Sequence, residues 1–200
     1  MGLVRRSQGA AEPAPPPVPP ASLGDPDPSV RRRAVQALGA APDAAARLAS
    51  HLREEPDASV RDAAFLALAG LGTRAAAEAA ASLLTEPDAA LRSGAFEALG
   101  AMPAEAAALL APLGHHADPD VRSFAILLAA DLPPATSGAW LIDLASREED
   151  PNVAAHCADA LGGTGLAEAA GALRTIAARF ADQPFVRFTA ETALRRLGEA

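Results

Sequence analysis

The sequence predicts an all-α, right-handed superhelical solenoid of about five helical hairpins preceded by one unpaired helix. Three observations predict it. Asp27, Asp57, Asp88, Asp118 and Asp150 recur at spacings of 30, 31, 30 and 32 residues, a period in the range of stacked helical repeats. Each aspartate opens an apolar stripe at i, i+4, i+8, the signature of one buried helix face. The chain is 50% hydrophobic yet only 4% aromatic, with no Tyr and no Lys, so small, helix-favouring alanine and leucine fill its interior.

The first helix of each unit reads "DPSVRRRAVQALG" from Asp27, "DASVRDAAFLALAG" from Asp57, "DAALRSGAFEALG" from Asp88, "DPDVRSFAILLAA" from Asp118 and "DPNVAAHCADALG" from Asp150, with a sixth, "QPFVRFTAETALRRLG", from Gln183. The aspartates stand where an N-cap accepts hydrogen bonds from amides that lack an intrahelical partner. Pro28, Pro119 and Pro151 follow at the first helical position, where a missing N–H costs nothing. The stripe then runs through Val30, Val60, Leu91, Val121, Val153 and Val186; Ala34, Ala64, Ala95, Ala125, Cys157 and Ala190; and Leu38, Leu68, Leu99, Ala129, Leu161 and Leu194. Gly39, Gly70, Gly72, Gly100 and Gly162 are the predicted left-handed stops.

Second helices are predicted at Pro42–Arg53, Thr73–Leu84, Pro103–Leu113, Ala135–Arg147 and Leu166–Phe180, where leucines recur at helical spacing. A hairpin with one apolar face buries it only by stacking on a neighbour, which makes an array rather than a globule. Residues 1–24 are predicted to lie outside that array. Pro13 to Pro20 hold six prolines in eight positions, an extended polyproline stretch with no core to join. Arg5 and Arg6 precede no continuous apolar segment, so the start does not read as a secretory signal. The solenoid is predicted over 25–200.

Charge and cysteine usage narrow the function. A net charge of -8 disfavours broad attraction to phosphate backbones and anionic lipid, so neither nucleic acid nor membrane is the expected partner. One cysteine forms no internal disulfide, which fits a reducing cytoplasm.

The "DPxVRxxAxxALG" pattern over Asp25 to Gly198 resembles the HEAT-like repeats of the phycobilisome-lyase type. That resemblance implies a ladder of Asp and Arg contacts between successive units, carried here by Asp57, Arg61, Asp88 and Asp118 with Arg31, Arg92, Arg122 and Arg187, and broken at Ala154. It also implies that the arginine-bearing helices line the concave surface. It leaves two functions open: a non-catalytic scaffold for another protein, or a chaperone or enzyme of the phycobilin-lyase kind acting on a tetrapyrrole-binding protein. Deoxyhypusine hydroxylase resembles this fold and holds iron through His-Glu pairs, but none of the four histidines here precedes a glutamate. HEAT-like alkylpurine DNA glycosylases need a basic groove, which an acidic chain does not supply.

The expected reading is therefore a scaffold without cofactor, metal or catalytic residue. Its groove contacts are expected at Phe65, Leu66, Arg92, Phe96, Glu97, Arg122, Ile126 and Leu127. Phe65, Phe96 and Ile126 recur in register and either form an apolar strip or fill gaps left by alanines. Trp140 replaces Arg47, Glu78, Ala108 and Ala172 of its column; it is either an exposed anchor or packs on Asp131 to Pro134. "HHADPD" brings His115, His116, Asp118 and Asp120 together, but His116 shares the column of Glu55, Glu86 and Glu148, expected to face solvent, and Asp118 is a cap. Cys157 beside His156 takes the core alanine position of the other units. Coupling between units is expected to be weakest after Ala154, where "GGTG" adds three glycines.

Overall fold

The computed structural model describes residues 20–39 and 41–199. Eleven α-helices make up the described chain: α1 (Pro28–Leu38), α2 (Ala44–Glu54), α3 (Ala58–Leu71), α4 (Arg74–Ala81), α5 (Ala89–Gly100), α6 (Pro103–Gly114), α7 (Pro119–Ala130), α8 (Pro134–Arg147), α9 (Pro151–Thr164), α10 (Ala169–Arg179) and α11 (Pro184–Arg196). The described residues contain no strand. None of these helices is long and apolar enough to cross a membrane.

The helices begin where their caps dictate. Asp27, Asp57, Asp88, Asp118 and Asp150 adopt extended backbone and each accepts from the amide two residues on, at 2.8 to 2.9 Å. The predicted stops behave differently. Gly72 is left-handed at φ 57°, but Gly39 is right-handed at φ −55°, and Gly70, Gly100 and Gly162 lie within helices. Among the described residues the other left-handed glycines are Gly165 and Gly198, so "GGTG" ends its helix only at its last residue.

The odd-numbered helices form one layer and the even-numbered a second, and each helix packs on its counterparts in the units before and after. With the even-numbered layer called the outer one, α5, α7 and α9 each pack more extensively on the outer helix before them than on the one after, which leaves α1 as the unpaired first helix. The predicted stripe is the core: all of its members are buried except Val30 at one end and Leu194 at the other, both half-buried.

Two expectations at the ends are corrected. Pro20–Gly24, assigned by sequence to the tail, forms a 3₁₀ helix against α1 with Leu23 touching the core. Residues 1–19, with most of the polyproline stretch, lie outside the described residues. The junction after Ala154 is not loose: α9 and α11 make the most extensive helix pair in the array. An alanine Cβ at Gly162 would fall 2.8 Å from the Cβ of Ala193, so that glycine permits close approach. The least extensive neighbour pair in the Asp-capped layer is α5–α7 instead. There Phe96 meets Phe124 with ring centroids 5.8 Å apart, two large side chains where α3–α5 sets Phe65 against Gly94 and α9–α11 sets Gly162 against Ala193.

Candidate functional site

Between successive units runs a chain of guanidinium clamps, which settles which polar residues are spare. Arg122 donates from Nε and Nη2 to both oxygens of Glu148, each at 2.9 Å, and from Nη1 to the carbonyls of His116 and Ala117. Arg31 repeats this with Glu55 at 2.8 and 2.6 Å and the carbonyls of Asp25 and Pro26. Each Glu carboxylate also accepts from the amide of the following cap, Asp57 or Asp150, at 2.9 Å. The Glu column expected to face solvent is thus buried at these two sites, with Glu55 4% and Glu148 5% exposed. The Arg31 guanidinium holds the Glu55 carboxyl below the usual glutamate range. Burial pushes Glu148 up, but Arg122 and the Asp150 and Glu149 amides outweigh it, and its net displacement is downward.

The implied Asp–Arg ladder is realised once, by Arg61 to Asp88 at 2.9 Å. Asp57 and Asp118 serve as caps. Arg92 donates to the carbonyls of Glu86 and Pro87 at 2.7 and 2.9 Å, but its unit has His116 where Glu55 and Glu148 stand. His116 Nδ1 accepts from the Asp118 amide at 3.1 Å, the backbone half of the glutamate's role. At buried Ala154 the guanidinium comes from elsewhere: Arg179, at the end of α10, donates to the carbonyl of Glu148 at 2.6 Å and to that of Ser146. The carbonyl that an arginine at 154 would reach is already taken.

These clamps remove several expected groove residues. Arg92 and Arg122 are tied to loops. Ile126 is 1% exposed and belongs to the core, because the eighth position after the cap faces the next helix of the layer rather than solvent. Phe65, at the same position, is 9% exposed, and Phe96 is half-buried on Phe124. Trp140 is no exposed anchor: it is half-buried, with its Cζ2 2.6 Å from where a Cβ on Gly114 would stand. Burial pushes the Cys157 thiol up to about 12, while His156 is exposed on the adjacent face, so the two form no nucleophile pair. His115 Nδ1 lies 2.8 Å from the carbonyl of Ala111, and no group of three or more metal-ligating side chains converges among the described residues.

Of the expected groove residues, those exposed are in the ninth column: Leu66 at 73%, Glu97, and Leu127 at 44%. Around Leu66 a trough of about 280 Å³ runs between α3 and α5, lined by Asp62, Phe65, Ala69, Gly94, Glu97 and Ala98 among others. It adjoins a second of about 210 Å³ that shares Asp62, Phe65, Gly94 and Glu97. The Phe65 ring reaches into the trough's wall only because Gly94 has no side chain: a Cβ there would sit 2.2 Å from Phe65 Cε2. Asp62 and Gly94 escaped the sequence reading, although counting five and six places from each cap would have found them. Phe185 and Phe188 of α11 were also missed and are 46% and 65% exposed.

The family model of HEAT repeats matches residues 17–100, 45–129 and 106–195. The chain belongs to the HEAT-repeat family. Among solved structures, this HEAT-repeat chain is similar to an engineered protein at 20% identity, covering 90% of this chain and 96% of that one with a TM-score of 0.48. It is similar to human deoxyhypusine hydroxylase at 20% identity, covering 89% and 82% with a TM-score of 0.43. It is also similar to the CpcE and CpcF complex of phycocyanin lyase from Nostoc, at 26% identity over 84% and 73% with a TM-score of 0.32. No curated protein matches it.

Proposed function

We propose that the chain is a non-catalytic scaffold that binds another protein along the exposed face of its Asp-capped helices. One observation carries this reading: Leu66 and Leu127 stand at the same place in two different units and are both exposed, on a layer whose other large apolar side chains in α3 and α7 are buried or half-buried. A leucine held open on a packed helix and repeated along an array is the make-up of an interface core. Arg122 and Arg61 brace the same helices without occupying that face. Cys157 is buried and its thiol is pushed up, so it supplies no nucleophile there.

Photo-crosslinking residues placed at Leu66 and Leu127, with Ala46 and Ala75 of the outer helices as comparison, test the reading in extracts of the native host. Adducts with one partner at Leu66 and Leu127 alone support it. Adducts confined to the outer positions overturn it, and a shifted visible band on incubation with a tetrapyrrole would favour the phycobilin-lyase-like alternative.

A further inference from the structure

We infer that the trough between α3 and α5 is a subsite for a cationic side chain, arginine or lysine, presented by a partner segment that also carries apolar residues. This rests on the scaffold reading and adds the chemistry of its partner.

The trough has an apolar floor and charged walls. Phe65, Ala69 and Ala98 line it below, and Leu66 stands over one edge. Asp62 of α3 and Glu97 of α5 both line it, so each of the two helices that form the trough contributes an acidic residue. Among the described residues neither carboxylate has an ion-pair partner, although Arg61, next to Asp62 in the chain, is spent on Asp88. That contrast matters. Arg53, Arg61, Arg122, Arg174 and Arg196 each pair with a carboxylate of another helix or loop, yet the two acids bordering this apolar recess are left over.

Long cationic side chains match this combination. Their methylene stems cover apolar surface while the charged head stays at the wet rim. An acidic side chain would meet two carboxylates and be rejected, and a purely apolar one would leave both acids unpaired at a dehydrated rim. The same acidity continues along the layer at Asp120 and Asp131, both exposed. Leu127 then offers a second apolar contact two units away, at about 20 Å given inter-helix spacings of 8–10 Å. A partner alternating basic and apolar residues over six or seven extended positions spans that distance at roughly 3.3 Å per residue.

Fluorescence anisotropy with a labelled hexapeptide of alternating leucine and arginine, and its counterpart with glutamate for arginine, tests the subsite on the full chain. The arginine peptide is expected to bind, more weakly as salt rises, and the glutamate peptide is not. The double variant Asp62→Asn, Glu97→Gln should weaken arginine-peptide binding roughly ten-fold, the size of two exposed charge pairs, while Asp143→Asn in α8 with Glu149→Gln in the loop before α9 leaves it unchanged. Both acids are exposed, so helicity should not move, and Leu66→Ser gives an independent uncharged probe of the same trough. Equal binding of the two peptides, or unchanged binding by the double variant, would overturn the inference. So would a rise in peptide affinity on removing residues 1–19, which would assign the trough to the chain's own Arg5 and Arg6. A crosslinked partner whose capture ignores Asp62→Asn and Glu97→Gln would leave the scaffold standing and remove this subsite.

Discussion

Arg122 and Glu148 form a two-pronged hydrogen bond, 2.9 Å on each side, that joins the start of α7 to the loop before α9. Both partners are otherwise satisfied, Arg122 by two carbonyls and Glu148 by two amides. A carboxylate this deep is stabilising only because both of its oxygens are hydrogen-bonded.

Glu148→Ala is therefore expected to cost roughly 2–4 kcal/mol, since it strands a partly buried guanidinium. The pH dependence follows from the same contact. The folded pKa of Glu148 lies below its ordinary value, so its contribution is present above the unfolded glutamate pKa near 4.3 and is lost as pH falls through the folded value. Urea denaturation between pH 7 and pH 3 should show wild type losing more stability than Glu148→Ala. Parallel curves would refute the assignment.

Adjacent glycines should respond with opposite sign. Gly162→Ala forces a Cβ to within 2.8 Å of Ala193 Cβ and 2.9 Å of its Cα, and separating α9 from α11 should cost about 1–3 kcal/mol. Gly163→Ala meets nothing within 4 Å in the same helix and should stabilise by up to about 1 kcal/mol. Thermal melts of the two variants compare them directly.

The junction between α5 and α7 should open first. It has the least extensive contact in its layer, an aromatic pair between the helices, and His116 where a carboxylate would face Arg92. Hydrogen exchange is expected to show amides flanking this junction opening at lower free energy than those of α9 and α11. His116→Glu should restore the clamp and raise the melting temperature by about 2–4 °C. Lowest protection at α9–α11 would instead restore the break expected at Ala154.

Trp140 should act on stability rather than on binding. Trp140→Ala is expected to cost about 3 kcal/mol by emptying the space over Gly114, with peptide affinity unchanged. As the single Trp, its emission should be blue-shifted in the native chain and move to the red at the same denaturant concentration as the loss of helicity.

Cys157 should be inert while folded. Its thiol, pushed up to about 12 by burial, presents almost no thiolate at neutral pH. Modification by a disulfide reagent should follow global opening and speed up in Glu148→Ala. Rapid reaction of the native chain would contradict the packing.

The candidate site was only partly legible because the arithmetic of a repeat gives each residue's column but not its neighbour. Leu66 and Leu127 could be placed on the face, and the structure exposes them. Ile126 could not be told from them by pattern alone, since positions eight and nine after the cap differ by one step of about 100° along the helix. That step decides between core and solvent, and it depends on how far apart the next helix is held. The spacing is a matter of Gly94 against Phe65 or Phe124 against Phe96, contacts between residues about 30 places apart.

The sequence by itself determined the helices, their capped starts, the buried stripe and the period of the array, because caps and stripes act within one helix and need no distant partner. Only the tertiary structure decided which charges are spare. Arg179 replaces the arginine missing at Ala154 from 25 residues away, Glu148 is drawn inward by Arg122, and Asp62 and Glu97 both line one trough. A charged side chain takes its role from whatever donor or acceptor lies within about 3 Å, and in a stacked array that neighbour belongs to another unit.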